Sequence, residues 1–255
     1  NYYSIIVNIS TLFKIMNYYR LEFYKKLILK YLNKESKILV VGSGLNDYQI
    51  FQEAGFSNVV FSNFNGTKIN NINFKQIDIN NIDEKDHSYD YVVAHACIHH
   101  CSKPHSGILE MYRVSKNGVL VIESRDSWLM RVMIKFKLAE EYELSAINNE
   151  DEFGDHGGVD NTNIPNYVYR WTEIEVKKLI NSYNPKYKHT IKFDYKYDYE
   201  NILNKIKNKN VHRKISFLLL SLTKVLDIFL RKQGNLFSFF IDSKESEKSK
   251  HSWIN

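Results

Sequence analysis

The stretch AHACIHHC at residues 94–101, followed by SKPH, brings His95, Cys97, His99, His100, Cys101 and His105 within eleven positions. Thiolates and imidazoles are preferred zinc ligands, and imidazole is also the side chain best suited to exchange a proton near neutral pH. Two features weigh against a metal. Cys97 and Cys101 have no distant Cys/His motif to complete a ligand set, and a segment that spans a strand end and a turn scatters its side chains. No metal site is therefore expected. The same two residues are the only cysteines, and four positions in a His-rich stretch is a poor layout for a disulfide. Free thiols fit a reducing, cytoplasmic setting.

The elements that would carry this segment read as an α/β pattern. YRLEFYKKLILKYL has apolar residues at helical spacing, and KILVVG is a short β-branched run that ends in glycine. DYQIFQEAG is the next helix, closed by Gly55. NVVFSNF, NFKQIDI and SYDYVVAHA follow as second, third and fourth strands. Pro104 opens a helix over PHSGILEMYRVS, and Asn117-Gly118 is expected to turn into a fifth strand, VLVIES. Strands alternating with helices imply a doubly wound sheet with helices on both faces.

After Ser124 the alternation stops. A helix is expected over WLMRVMIKFKLAEEYELSAI, then a Gly- and Asn-rich loop, EDEFGDHGGVDNTNIPNYVYRW, then a helix over TEIEVKKLINSY. A polar loop of that length inside a compact domain is usually either functional or disordered. KHTIKFDYKYDY and GNLFSFFID resume strand alternation. The resulting division is an N-terminal extension (1–16), a cofactor-binding core (17–125), an inserted cap (126–186), the C-terminal part of the core (187–242) and a mobile tail (243–255).

Composition sets outer bounds. The chain has 255 residues, 44% of them hydrophobic, with a net charge of +6. The lysines are scattered among Asn, Ile and Tyr, so the charge does not imply a nucleic-acid partner. NYYSIIVNISTLFKIM lacks a basic leader and a small-residue cleavage site and is not a signal peptide; Met16 is a possible natural start. ISFLLLSLTKVLDIFL carries Lys224 and Asp227 and is shorter than the ~20 apolar residues of a bilayer span, so a buried amphipathic helix is expected and no membrane insertion.

VVGSGLND, at a strand end before a helix, lets backbone approach a bound cofactor at Gly42, Ser43 and Gly44. Asn63 ends the second strand, where a side chain can meet ribose hydroxyls. Asp78 follows the third, where a carboxylate can accept from an adenine amino group while Ile79 packs on the ring. Such strand ends converge on one crevice.

These motifs, with FSNFN, QIDI, YDYVVAHACIHH and SKNGVLVIES, make residues 17–125 resemble the class I S-adenosylmethionine-dependent methyltransferases. GGVDNTNIPNYVYRWTE resembles the cap of small-molecule members, including those of bacterial surface-glycan synthesis. The resemblance implies a seven-stranded Rossmann-like sheet and S-adenosylmethionine as cofactor, held by Arg20, Gly42, Ser43, Gly44, Asn63, Phe64, Asp78, Ile79 and His95. It also implies a small acceptor, carbohydrate or phosphate-bearing, clamped by Tyr167, Tyr169, Arg170 and Trp171. His95, His99, His100 and His156 are the candidate bases. Val40, Asn46 and Asn63 stand where the family often has an acid, a third glycine and Asp or Glu.

The rivals on such a sheet are a nucleotide-dependent oxidoreductase and a non-catalytic binding protein. Asp47 in the third glycine position of G-x-G-x-x-G speaks against the first. A base-modifying methyltransferase would carry a Pro-Pro-aromatic motif where this chain has AHAC.

Overall fold

A computed structural model of the chain describes residues 20–66, 68–69, 72–144, 146–147, 157–197 and 230–254. His156, the extension before residue 17 and all but the last residue of the apolar run at 215–230 lie outside them.

A seven-stranded sheet organises the fold. Its strands are β1 (Ile38–Val41), β2 (Val59–Asn63), β5 (Lys75–Gln76), β6 (Tyr89–His95), β7 (Ser115–Ser124), β8 (Thr190–Lys196) and β9 (Leu236–Asp242), in the order β5-β2-β1-β6-β7-β9-β8. The first five run parallel, and β9 lies antiparallel between β7 and β8. Ile38, Leu39, Val40 and Val41 are all buried, as a parallel strand covered on both faces requires.

One face packs against α1 (residues 20–31) and α2 (Leu45–Glu53), through Tyr24, Leu27, Phe51 and the odd-facing side chains Val40 and Phe61. The other packs against α3 (Pro104–Val114) and α5 (Glu173–Tyr183), through Ile108, Met111, Trp171, Val176 and Ile180. The C-terminal ends of β1, β2, β5 and β6 open on one edge. That edge carries the site.

Several local expectations change. Asn117-Gly118 is no turn: α3 passes directly into β7, which runs through both residues. A Cβ on Gly118 would stand 2.6 Å from the Ile241 carbonyl oxygen, so this glycine admits the neighbouring β9. The helix expected over 128–147 is α4, Trp128–Lys135 only. Lys137 turns to φ +55 and donates its N–H to Ile134, after which Tyr142 bridges to Tyr167 in extended form. A two-stranded hairpin, β3 (Lys68–Ile69) with β4 (Ile72–Asn73), adds to the expected elements. The tail expected to be mobile begins as α6 (Ser243–Glu247), capped by the Asp242 carboxylate on the Glu245 N–H at 3.0 Å. Among the described residues no helix is long and apolar enough to cross a membrane.

Candidate active site

A cleft of about 270 Å³ lies over the strand ends, with Gly42, Asn63, Phe64, Asp78, Ile79 and His100 among its walls. Its floor is the β1–α2 turn. Gly42 sits at φ +57, and a Cβ there would meet Cys97 Cβ at 2.5 Å, so only glycine lets the turn pass beneath the loop after β6. Ser43 ties the turn to β2, its hydroxyl donating to the Ser62 carbonyl at 3.0 Å and accepting the Ser62 N–H at 3.0 Å. Gly44 caps α2 and donates its N–H to Asp47 at 2.9 Å. The Asp47 carboxylate therefore already serves this helix N-terminus, which leaves less of it for the pyrophosphate of a dinucleotide.

The walls follow the expected pattern with different bonding. Asn63 lines the cleft, and its Oδ1 accepts the Gly66 N–H at 2.7 Å. Asp78 is exposed and accepts the Asn80 N–H at 2.8 Å. Ile79 packs on α3 where Gly107 leaves room for it. Phe64 forms an exposed apolar wall.

The cap closes one side. Gly157, Gly158, Asp160 and Asn161 reach the cleft from the insertion, and Asp160 Oδ1 accepts the Ser102 N–H at 2.9 Å. Asn161 donates its amide to Asn65 at 3.2 Å. Asp160 and Asn161 both adopt positive φ to do this. Their glycine- and asparagine-rich composition was the available signal, since Asn and Asp tolerate that conformation better than other side chains.

The histidines separate into distinct roles. His95 does not line the cleft. It is buried beneath it, stacked on Tyr24 at 4.3 Å, with Nδ1 3.6 Å from Asp47. Burial pushes its pKa down. Arg20 lies beside it on α1 and not on the cleft wall; its charge acts on His95 and Glu123, and its Nε is buried without a partner among the described residues.

His99 is also buried. Its Nδ1 contacts Glu123 at 2.6 Å and its Nε2 faces Glu143 at 3.4 Å. Burial works to lower its pKa, but the two carboxylates outweigh that and raise it to about 9. His99 on its own is then an imidazolium at neutral pH and unsuited to act as base. Glu123, fully buried, keeps its charge through His99 and the Ile98 N–H at 2.8 Å. His99 beside it lowers the Glu143 pKa to about 2, against burial. His100, whose pKa burial and the neighbouring His99 charge both lower, stands in the cleft wall with Nε2 3.7 Å from the same Glu143 carboxylate.

Beyond Cys101 a second hollow opens, lined by His99, Ser102, Lys103, His105, Asn166 and Tyr167 among others. His105 Nε2 meets Glu175 at 2.9 Å, and Tyr169 donates its hydroxyl to the same carboxylate. Of the expected acceptor clamp, Tyr167 and Tyr169 reach this hollow. Trp171 does not: it is fully buried against His105 and Phe239 and fixes the cap on the sheet. Arg170 donates to the Val168 and Glu140 carbonyls, so its guanidinium is bound into the cap. Glu123, Glu143, Lys103 and Glu175, the partner of His105, were not singled out from the sequence; nothing local in it brings residues 99, 123 and 143 together.

Residues 31–122 match the family model described as a methyltransferase domain. The match takes in β1 through nearly all of β7. S-adenosylmethionine is the cofactor such a domain uses; the cleft over the strand ends is lined by a glycine turn, an apolar wall and two polar strand ends. None of the curated proteins compared with the chain matches it. Among solved structures, an S-adenosylmethionine-dependent methyltransferase from Archaeoglobus fulgidus is 11% identical, with 90% of this chain and 98% of that one covered and a TM-score of 0.52. That likeness shows the fold, extended beyond the domain match to nearly the whole chain. A second such enzyme, from Aquifex aeolicus, is 12% identical over 91% of this chain and 96% of its own, TM-score 0.44. A phosphoethanolamine N-methyltransferase from Haemonchus contortus, with S-adenosylhomocysteine bound, is 13% identical over 86% and 52%, TM-score 0.45.

Proposed function

We propose that the chain moves the methyl group of S-adenosylmethionine onto an oxygen of a small polar acceptor. A sugar or phosphorylated glycan precursor, of the kind used in capsule or surface-polysaccharide synthesis in the cytoplasm, is the class that best suits the site. The observation that carries this reading is the second hollow, which shares Cys101 with the cofactor cleft and offers hydroxyl, amide and imidazole groups with one ammonium. Such a lining suits a polyhydroxylated molecule, and Lys103 adds a cation for a phosphate.

When bound, the cofactor would supply a sulfonium methyl for transfer to an acceptor oxygen, with the thioether sulfur as leaving group. The protein's own contribution is mainly alignment, which can be worth about 7–11 kcal/mol. Asn63, Asp78 and Ile79 hold the adenosine part, with Gly42, Ser43 and Gly44 beneath. Ser102, Lys103, Tyr167 and Tyr169 orient the acceptor. His100, between cleft and hollow, handles the acceptor's hydroxyl.

Calorimetry with S-adenosylhomocysteine, followed by a screen of sugar nucleotides and phosphorylated sugars with methyl-labelled S-adenosylmethionine, tests the proposal. One-site binding and label on a sugar oxygen are expected; binding of NADH in place of S-adenosylhomocysteine, or label only on amines, would overturn it.

A further inference from the structure

We infer that His99, His100 and Glu143 form a 2-His-1-carboxylate site for a divalent first-row metal ion, zinc or iron(II), at the junction of the cofactor cleft and the acceptor hollow. The inference rests on the methyl-transfer reading for its use, but not for its geometry.

Three ligand atoms, one from each residue, lie within 4.8 Å of one another. His99 Nε2 is 3.4 Å and His100 Nε2 is 3.7 Å from Glu143 Oε2. Ligands of one zinc at ~2.0–2.2 Å sit about 3–3.5 Å apart in a tetrahedron; the two contacts to Glu143 are near that spacing, and the widest gap in the set, at most 4.8 Å, closes with about 1 Å of side-chain movement. Two imidazoles and one carboxylate select a borderline metal over magnesium or calcium, which prefer all-oxygen shells.

The surroundings match what ligands of an ion need. His99 presents Nδ1 to Glu123 at 2.6 Å, the carboxylate–histidine arrangement that fixes the ring and turns Nε2 toward a metal. Glu143 is held by the Asn166 amide at 3.3 Å, and Asn166, itself buried, also donates to the His99 carbonyl at 3.3 Å. The backbone joins in: Glu143 N–H donates to the Asn166 carbonyl at 3.0 Å. The two segments that carry the ligands are thus tied together by the residue between them. His100 faces the cofactor cleft and His99 the hollow, so three protein ligands leave coordination positions for an acceptor.

Such an ion would give His100 its role. An acceptor hydroxyl bound to it would ionise more readily, with its proton passing to solvent. The two cysteines take no part; the metal chemistry of AHACIHHC resides in its histidine pair, with the third ligand more than forty residues away in the cap.

The test uses the full chain, stripped with a chelator and titrated with cobalt(II), read by its visible d–d absorption and by competition with zinc. Saturation at one equivalent is expected. His100→Ala and Glu143→Gln should each weaken cobalt binding about tenfold or more, and Glu123→Gln roughly 10- to 100-fold. His100 and Glu143 are partly exposed, so these two variants should fold where His99→Ala fails, with circular dichroism as the check. Absence of saturable cobalt binding, or binding that all three variants leave unchanged, would overturn the site and leave His99 as a plain ion-paired histidine. S-adenosylhomocysteine calorimetry on the same samples keeps the readings apart. Cofactor binding without metal sinks only this inference, and metal binding without cofactor sinks only the methyl-transfer reading.

Discussion

At the scale of single residues, the turn under the proposed cofactor cleft depends on one missing side chain. Gly42→Ala puts a Cβ at φ +57 and into Cys97, with cost of about 1–2 kcal/mol for the backbone alone. The expected result is a lowered melting temperature and weaker S-adenosylhomocysteine binding, both measurable on one preparation; unchanged affinity would mean the turn does not support the cofactor. His95 makes a different prediction. It is buried on Tyr24, with Asp47 on α2, Arg20 on α1 and Glu123 on β7 as the charges around it, and its folded pKa lies below the ordinary value. The neutral form is the one the fold favours. Its contribution to stability is therefore complete above about pH 6.5 and declines as the pH falls toward the folded pKa, because the unfolded chain binds the proton first. Urea denaturation of wild type and His95→Gln between pH 5 and 7 should give a stability difference that shrinks on the acid side, and a constant difference would exclude this role. The sequence places His95 against the cofactor and His100 only among the candidate bases; the structure puts His100 in the cleft wall and His95 beneath it, a difference set by the direction of the strand end.

At the scale of elements, strands and capped helices were legible and the cap was not. Thr172 with Glu175 three residues on announces α5, and Thr172 accepts the Glu175 N–H at 3.2 Å. The helix expected through residue 147 had no glycine or proline to end it. It ends because Lys137 takes a left-handed conformation so that Tyr142 can pair with Tyr167, a tertiary contact that propensity does not encode. That early stop is what delivers Glu143 to the histidines. The cap is anchored at its far end by Arg125, at the end of β7, which donates twice from Nη2 to Glu173 at 2.7 and 2.8 Å beneath the Tyr195 ring. Arg125 is buried and Glu173 partly so; removing the carboxylate strands the guanidinium, so Glu173→Ala should cost roughly 1–3 kcal/mol in urea denaturation. The loss should be accompanied by proteolytic sensitivity of the 157–171 segment. A cost near zero would show that Trp171 packing alone holds the cap.

At the scale of the whole molecule, the sheet was readable because its central strands are apolar on both faces, and the period-2 pattern of the last strands marked them as well. Their order was not. Nothing in GNLFSFFID says that it inserts between β7 and β8, and the reason is a spatial one: Gly118 and the aromatic side chains of β9 fit each other only once the strands are adjacent. This order has a consequence for how the protein is made. Strand β9 is the last of the described strands, yet it separates two strands synthesised earlier. A nascent chain that has left the ribosome only as far as β8 has β7 with a bare edge and β8 with no neighbour to pair with. The half of the sheet that underlies the cap is therefore assembled after translation has passed residue 242, whereas the five parallel strands under the cofactor cleft can already pair.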